Sequence, residues 1–166
     1  MLTPIMFFCT FAALIIIGIL GMKVLIASDH AGFEMKAFLL SQNIPGVEWE
    51  DLGTYSSESV DYPDFAHKLA SAVSADPNQY GVLICGTGNG MAMCANKHAD
   101  VRAGLCWSTE IAALVRQHNN ANILVMPARF IDKCTALDIT NTFFTTGFEG
   151  GRHLRRVEKI NLKDDE

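Results

Sequence analysis

Cys85 lies where an apolar strand ends and a glycine-rich turn begins, and it is the strongest candidate for chemistry in the sequence. The short apolar run 82–85 is typical of a buried strand. Glycines follow at 86, 88 and 90, and residues 91–97 have the composition of a helix. Open α/β sheets bind ligands at the carboxyl ends of their strands, where glycines allow close backbone approach and a helix start presents free N–H groups.

Two interpretations of Cys85 fit this setting. In the first, the thiol is a reactive group beside an oxyanion cradle, because the helix dipole favours the thiolate. In the second, it is a buried thiol in a tight strand–helix turn, since most free cysteines are core residues. Two nucleotide motifs are excluded, because Met91 stands where a dinucleotide fingerprint requires glycine and no Gly-Lys-Ser/Thr sequence occurs.

Further polar side chains fall at the predicted ends of strands and helices. They are Asp29 and His30 after the first strand, His118 and Asn119 at the end of the fourth helix, and Arg129 after the fifth strand. Asp29 suits a helix N-cap and His118 complements the dipole at a helix end, whereas His30 has no ordinary explanation of this kind. Together they favour a binding site, because strands one, three and five present their carboxyl ends at one edge of such a sheet.

The segments that position these residues alternate between strand and helix from Met22 onward. Strands are predicted at 23–28, 46–53, 82–85, 101–106 and 123–126, with helical patterns between them and at 131–144. This alternation predicts a three-layer α/β/α fold with a Rossmann-like, five-stranded parallel sheet. Residues 147–166 are expected to form a tail that is basic and then acidic. Its arginines at 152, 155 and 156 have the ordinary explanation of a solvated face.

The composition narrows the class of protein. The chain has 166 residues and a net charge of −5, which gives no support to nucleic-acid binding. Its five cysteines are scattered and include no C-x-x-C pair, so neither a zinc site nor a disulfide framework is indicated. A reducing, cytoplasmic location fits this cysteine usage.

Residues 1–21 differ from the rest of the chain. The run 5–20 is apolar except for Thr10, and its length is near the lower limit for spanning a bilayer. It lacks the basic start of a secretory signal, and the first predicted strand follows without a linker. We therefore expect a dispensable extension or a misassigned start rather than a membrane anchor, with residues 22–166 forming a single domain.

Five ordered motifs carry a resemblance to a known family. They are Ser-Asp-His-Ala-Gly at 28–32, Asp-Tyr-Pro at 61–63, Cys-Gly-Thr-Gly-Asn-Gly at 85–90, Arg-Gln-His-Asn at 116–119 and Glu-Gly-Gly-Arg-His at 149–153. From Met22 to about Leu162 the sequence resembles the ribose-5-phosphate isomerase B family, which includes allose-6-phosphate and galactose-6-phosphate isomerases. Residues 1–21 lie outside the resemblance.

The resemblance implies an aldose–ketose isomerase that acts on a sugar phosphate through an enediolate, without a metal or another cofactor. By position, Cys85 matches the base that moves a proton between C1 and C2. His118 matches the acid/base that opens the furanose ring, and Thr87 matches a residue that assists proton handling. Substrate binding is implied for the other matched positions, with the two tail arginines on the phosphate: Asp29, His30, Gly86, Gly88, Asn89, Gly90, Asn119, Arg129, Arg152 and Arg156. Ala128 departs from the family's usual serine or glycine, and Arg155 has no family counterpart.

The family also implies a homodimer, or a dimer of such dimers, in which each tail completes the neighbouring pocket. No nucleic-acid partner is expected. Three activities remain open: ribose 5-phosphate isomerisation in the pentose phosphate pathway, isomerisation of allose or galactose 6-phosphate, and non-catalytic binding of a sugar phosphate. In the second case the chain could be one subunit of a mixed enzyme. The joint presence of Cys85, Thr87 and His118 argues against its being an inactive subunit of such an enzyme.

Overall fold

The computed structural model describes residues 21–161 and shows an α/β fold. Within these residues five strands form one sheet: Met22–Ser28 (β1), Val47–Asp51 (β2), Tyr80–Cys85 (β3), Ala103–Leu105 (β4) and Ile123–Pro127 (β5). Every neighbouring pair is parallel, in the order β2-β1-β3-β5-β4. The predicted five-stranded parallel sheet is therefore confirmed. The expectations for residues 1–20 and 162–166 lie outside the described residues.

Six helices accompany the sheet in the described part of the chain: Phe33–Leu40 (α1), Tyr62–Ala75 (α2), Asn89–Ala95 (α3), Thr109–Asn119 (α4), Lys133–Thr145 (α5) and Leu154–Val157 (α6). Their starts are encoded locally. Pro63 stands in the first turn of α2, where its missing N–H is harmless. The Ser108 hydroxyl accepts the Ile111 N–H at 3.3 Å and begins α4. A carboxylate oxygen of Asp132 accepts the Thr135 N–H at 2.8 Å and begins α5. None of the helices within residues 21–161 has the length and apolar character that crossing a bilayer requires.

Both faces of the sheet are buried, as the predicted three layers require. Along β1, Val24 and Ile26 pack into one core, and Leu25 and Ala27 pack into the other. The first core includes residues of α1, α4 and α5, and the second includes residues of α2 and α3. Strands covered on both faces read as continuous apolar runs, which is why β3 and β5 stand out in the sequence.

The edge strand β4 is shorter than the predicted 101–106. Side-chain amides take the place of strand pairing where it begins. The Arg102 N–H donates to the Asn122 side chain at 2.8 Å, and the Ala103 N–H donates to the Asn96 side chain at 2.8 Å. The segment predicted as a basic and then acidic tail contains the short helix α6.

Candidate active site

A cavity of about 260 Å³ lies at the carboxyl edge of the three central strands, and we call it the strand-end cavity. It is lined by Asp29, His30, Ala31, Tyr62, Cys85, Gly86, Thr87, Gly90 and Arg129. Cys85 is the last residue of β3 and pairs with Pro127 at the end of β5, while Ile84 pairs with Ser28 at the end of β1. The register of the sheet therefore brings the residues that follow β1, β3 and β5 to one place.

The sulfur of Cys85 is buried at the floor of this cavity. The residue is 4% exposed, and the Gly88 N–H donates to its Sγ at 3.2 Å. A backbone donor aimed at sulfur stabilises negative charge there. The turn that aims this N–H at the sulfur requires glycine at position 88. Its φ of 76° is one that other residues rarely adopt, and an added Cβ would lie 2.2 Å from the Leu105 side chain. The adjacent Asn89 begins α3.

Arg129 places a positive charge over the same turn. The backbone N–H of Arg129 donates to the Gly86 carbonyl at 3.1 Å. The side chain lies close as well, because a Cβ added to Gly86 would lie 3.3 Å from the Arg129 Nε. The Ala128 N–H donates to the Cys85 carbonyl at 2.9 Å. This is a backbone contact that any residue except proline can make, so the departure at Ala128 leaves it intact. The guanidinium makes the cavity suitable for an anionic ligand.

Asp29 and His30 form the wall contributed by β1. Asp29 is 6% exposed, and one of its carboxylate oxygens accepts the Gly32 N–H at 3.0 Å, which closes the turn before α1. The N-cap of α1 is Gly32 and not Asp29, so the ordinary role expected for Asp29 is wrong; its carboxylate closes the preceding turn and lines the cavity. The Val60 N–H donates to His30 Nδ1 at 3.3 Å. A neutral His30 therefore carries its proton on Nε2 and is a donor there.

Tyr62 also lines the cavity, although the sequence motif that contains it suggested no role. Its ring packs against Gly90, where an added Cβ would lie 2.7 Å from the ring carbons and 3.1 Å from the hydroxyl. The signal that could have identified it is Pro63. A helix that follows one strand of a parallel sheet starts at the carboxyl edge, so the first residue of α2 belongs beside the predicted site.

Three further predicted residues, His118, Arg152 and Arg156, lie together with Glu149 and His153, which the sequence did not single out. We call this second group the tail cluster: His118, Glu149, Arg152, His153 and Arg156. The rings of His118 and His153 are stacked, with centroids 4.2 Å apart and planes 1° from parallel. A carboxylate oxygen of Glu149 lies 3.9 Å from His118 Nε2 and 3.7 Å from His153 Nε2. The Arg152 Nε donates to His153 Nε2 at 3.3 Å, and the Arg156 N–H donates to the His153 carbonyl at 3.0 Å.

The tail cluster lies at the opposite edge of the sheet from the strand-end cavity. His118 and Asn119 end α4 just before β5 begins at Ile123, whereas Cys85 is in register with Pro127 at the other end of β5. A strand of this length spans roughly 13 Å. Asn119 lines a separate cavity on that side, with Arg102 and Ala121. One chain therefore does not bring Cys85 together with His118, Asn119, Arg152 and Arg156.

The side chains of His118, Glu149 and His153 place three potential metal-ligand atoms within 4.8 Å of one another. The lone pair of an imidazole nitrogen lies in the plane of its ring. Because the two rings are parallel and stacked, no point lies in both planes. This arrangement therefore does not fit a metal ion.

Comparison with known proteins decides the family. Residues 24–160 match the family described as Ribose/Galactose Isomerase. The chain belongs to this family. Ribose-5-phosphate isomerase B from Escherichia coli K12 is 41% identical over 139 residues, which cover 83% of this chain and 93% of that protein. The resemblance inferred from the five motifs is confirmed.

Two solved structures of the family are similar in fold. A ribose 5-phosphate isomerase from Thermotoga maritima is 50% identical, with a TM-score of 0.78 over 84% of this chain and 97% of that chain. Ribose-5-phosphate isomerase B from Mycoplasma genitalium, solved with bound ribulose-5-phosphate, is 42% identical, with a TM-score of 0.78 over 83% of this chain and 93% of that chain. Each match spans more than nine tenths of the solved chain.

Proposed function

We propose that this protein is an aldose–ketose isomerase that interconverts ribose 5-phosphate and ribulose 5-phosphate. The observation that carries the proposal is the buried Cys85 sulfur, which accepts the Gly88 N–H at the floor of the strand-end cavity. Cys85 is the base that removes the proton from C2 of the open-chain aldose and returns it to C1. Between these steps the substrate is an enediolate, and a proton passes between its O2 and O1 with the assistance of Thr87.

Stabilising the enediolate is the main task of the surrounding groups. A C–H proton beside a carbonyl is weakly acidic, so a base needs electrostatic help at the oxygens on which charge develops. The turn 86–90 provides backbone donors, and His30 provides an Nε2–H donor at the same cavity. Arg129 adds a positive charge beside Gly86. Asp29 and Tyr62 line the same cavity as further substrate-binding groups.

Ring opening needs His118, and this requirement leads to a two-chain site. Opening the furanose acts at C1, one bond from the carbon that Cys85 deprotonates. An acid/base group must come within about 3 Å of the proton that it moves. Because the two residues lie at opposite edges of one sheet, His118 must come from a second copy of the chain. The same copy brings Arg152 and Arg156, whose guanidinium groups suit a phosphate dianion, together with Asn119.

Exposed aromatic side chains next to the cavity support a homodimer. Trp107 is 55% exposed and Phe130 is 72% exposed. Both line an apolar cavity of about 510 Å³ that is shared with Thr87 and Asn89 of the catalytic turn. Large exposed aromatic groups of this kind mark subunit interfaces. A cytoplasmic location belongs to the same proposal, because a reducing compartment keeps a free thiol from being oxidised.

Steady-state assays with ribose 5-phosphate, allose 6-phosphate and galactose 6-phosphate test the activity. We expect turnover of ribose 5-phosphate, and we expect Cys85→Ser to reduce it about a thousandfold while substrate still binds, because a serine hydroxyl is a far weaker acid. Cys134→Ser, at an exposed position of α5, is the matched control and should retain activity. Turnover of a hexose phosphate alone would show that the substrate is a hexose phosphate and not ribose 5-phosphate. Binding without turnover of any sugar phosphate would indicate a sensor.

A further inference from the structure

His153 is a buried histidine to which the mechanism above gives no role. It is 6% exposed, although its neighbours Arg152 and Leu154 are exposed. Its ring makes two kinds of contact. The edge of the ring meets Arg152 and, at 3.7 Å, a carboxylate oxygen of Glu149, and the face of the ring meets His118.

The edge contact determines the protonation of the ring. The Arg152 Nε–H donates to His153 Nε2 at 3.3 Å, whereas the Glu149 oxygen, 3.7 Å away, is beyond hydrogen-bond distance. His153 Nε2 is therefore an acceptor, and the ring proton is on Nδ1. The charged groups around the ring agree with a neutral His153. Burial lowers its pKa, and His118, Arg152 and Arg156 lower the pKa further, whereas Glu149 alone raises it.

The face contact determines the plane of the His118 ring. The two planes are 1° from parallel, and the His118 side chain is 36% exposed, so the stack supports one side of a ring that is otherwise open. A neutral neighbour matters for an acid/base group. When His118 takes a proton, a neutral aromatic ring still attracts it, whereas a second imidazolium would repel it.

We propose that His153 is a positioning residue that joins the phosphate-binding Arg152 to the ring-opening His118. Its edge holds Arg152 through Nε alone, so the Nη groups remain available to fork onto a phosphate. Its face holds the ring of His118 in the orientation that proton transfer needs. The inference rests on the roles proposed above for Arg152 and His118.

Two substitutions separate the edge from the face. His153→Gln keeps an acceptor near the Nε2 position and removes the aromatic face. His153→Phe keeps the face and removes the acceptor. We expect the Gln variant to slow single-turnover conversion of ribose 5-phosphate about tenfold more than that of ribulose 5-phosphate, which is already open, because a misplaced acid/base group costs that much or more. We expect the Phe variant to bind inorganic phosphate about tenfold more weakly, with the ratio of the two conversion rates unchanged.

A merely structural role would give a different pattern. It would lower the thermal stability of both variants and slow both substrates equally, which would overturn the proposal. Circular dichroism checks that each variant is folded, and His67→Gln, at an exposed histidine on α2, is the matched control. His118→Ala tests the ring-opening role of His118 separately from the positioning role of His153. If it slows both substrates equally, the ring-opening role itself fails, whatever the His153 variants do.

The unaltered protein provides a test that needs no variant of His153 to fold. The sequence has five histidines, so their ring nitrogens can be assigned by NMR through substitutions of the other four. We expect the ¹⁵N spectrum to show His153 protonated on Nδ1 and unprotonated on Nε2 at neutral pH. A proton on Nε2, or a doubly protonated ring, would contradict the contact with Arg152 and overturn the proposal.

Discussion

At the scale of single residues, the described cysteines have the same functional group but different surroundings. Burial raises the pKa of Cys106 to about 12, so this thiol stays protonated at physiological pH and serves as a core residue. Burial and the neighbouring Cys85 both raise the pKa of Cys94. Among the four cysteines within residues 21–161, only Cys85 combines a backbone donor on its sulfur with a place in the strand-end cavity. The thiol is buried, as the second interpretation of Cys85 expects, and it lines the cavity, which the first interpretation requires.

Substitutions at two glycines of nearly equal φ can distinguish the cost of backbone strain from the cost of a steric clash. Gly88 and Gly46 have φ of 76° and 78°, but an added Cβ meets the Leu105 side chain at Gly88 and nothing within 4 Å at Gly46. We expect Gly46→Ala to lower the free energy of unfolding by about 1–2 kcal/mol and to leave kcat unchanged. We expect Gly88→Ala to destabilise the protein more and to abolish turnover, since the catalytic turn must move. Urea unfolding and kinetics measure both effects, and equal losses in the two variants would contradict this account.

At the scale of elements, the alternation of strand and helix determines which residues can meet. Each helix of a parallel sheet returns the chain from the carboxyl edge to the amino edge. This rule brings Tyr62, at the start of α2, to the edge where Cys85 lies. It sends His118, in the last turn of α4, to the other edge.

The sequence predicted the sheet because strands covered on both faces leave long apolar runs. It also predicted that Asp29, Cys85 and Arg129 lie at the ends of strands that share one edge, and these three line one cavity. It did not predict the burial of His153, because a polar residue in a basic segment carries no apolar periodicity. The separation of Cys85 from His118 could have been inferred, since a helix that precedes a strand ends at the amino edge.

Two helix caps of different charge give a pH-dependent prediction. Hydrogen bonds from Thr135 hold the pKa of Asp132 below its ordinary 3.8. A depressed carboxyl pKa contributes stability that is present above pH 4 or so and is lost as the pH falls through the folded value. We therefore expect Asp132→Ala to be destabilising at pH 7 and progressively less so as the pH falls below about 4. Urea midpoints across this range measure the difference.

Ser108→Ala is the matched control for Asp132→Ala. The Ser108 hydroxyl caps α4 through the Ile111 N–H but does not titrate. Its removal should cost about 1 kcal/mol at every pH in the range. If the two variants show the same pH dependence, the charge of Asp132 does not contribute to its cap.

At the scale of the whole molecule, the two halves of the proposed site occupy opposite edges of each chain. Cys85→Ser alone and Arg152→Ala alone should therefore each be nearly inactive. When the two variants are mixed and exchange subunits, half of the dimers are hybrids, and each hybrid has one site in which both groups are intact. Activity should recover to about a quarter of that of the unaltered protein, as two-fold symmetry requires. No recovery despite exchange, demonstrated by mass spectrometry, would place both groups in one chain.

The start of the fold gives a prediction about residues 1–21. Strand β1 begins at Met22, which pairs with Val47, and every group of the cavity and the tail cluster lies downstream. We propose that residues 1–21 are dispensable. A chain that begins at Met22 should be soluble and should match the kcat/KM of the full chain in parallel assays. An aggregated or inactive product would mean that the extension takes part in packing or assembly.

The distance between the strand-end cavity and the tail cluster has a consequence for how the enzyme responds to its own abundance. If two chains must meet to form one site, the dissociation constant of the dimer becomes a threshold for catalysis. Below that concentration the rate should rise with the square of the amount of protein, and above it the rate should rise linearly. The cell could then adjust flux through this step more steeply than it changes the expression of the protein.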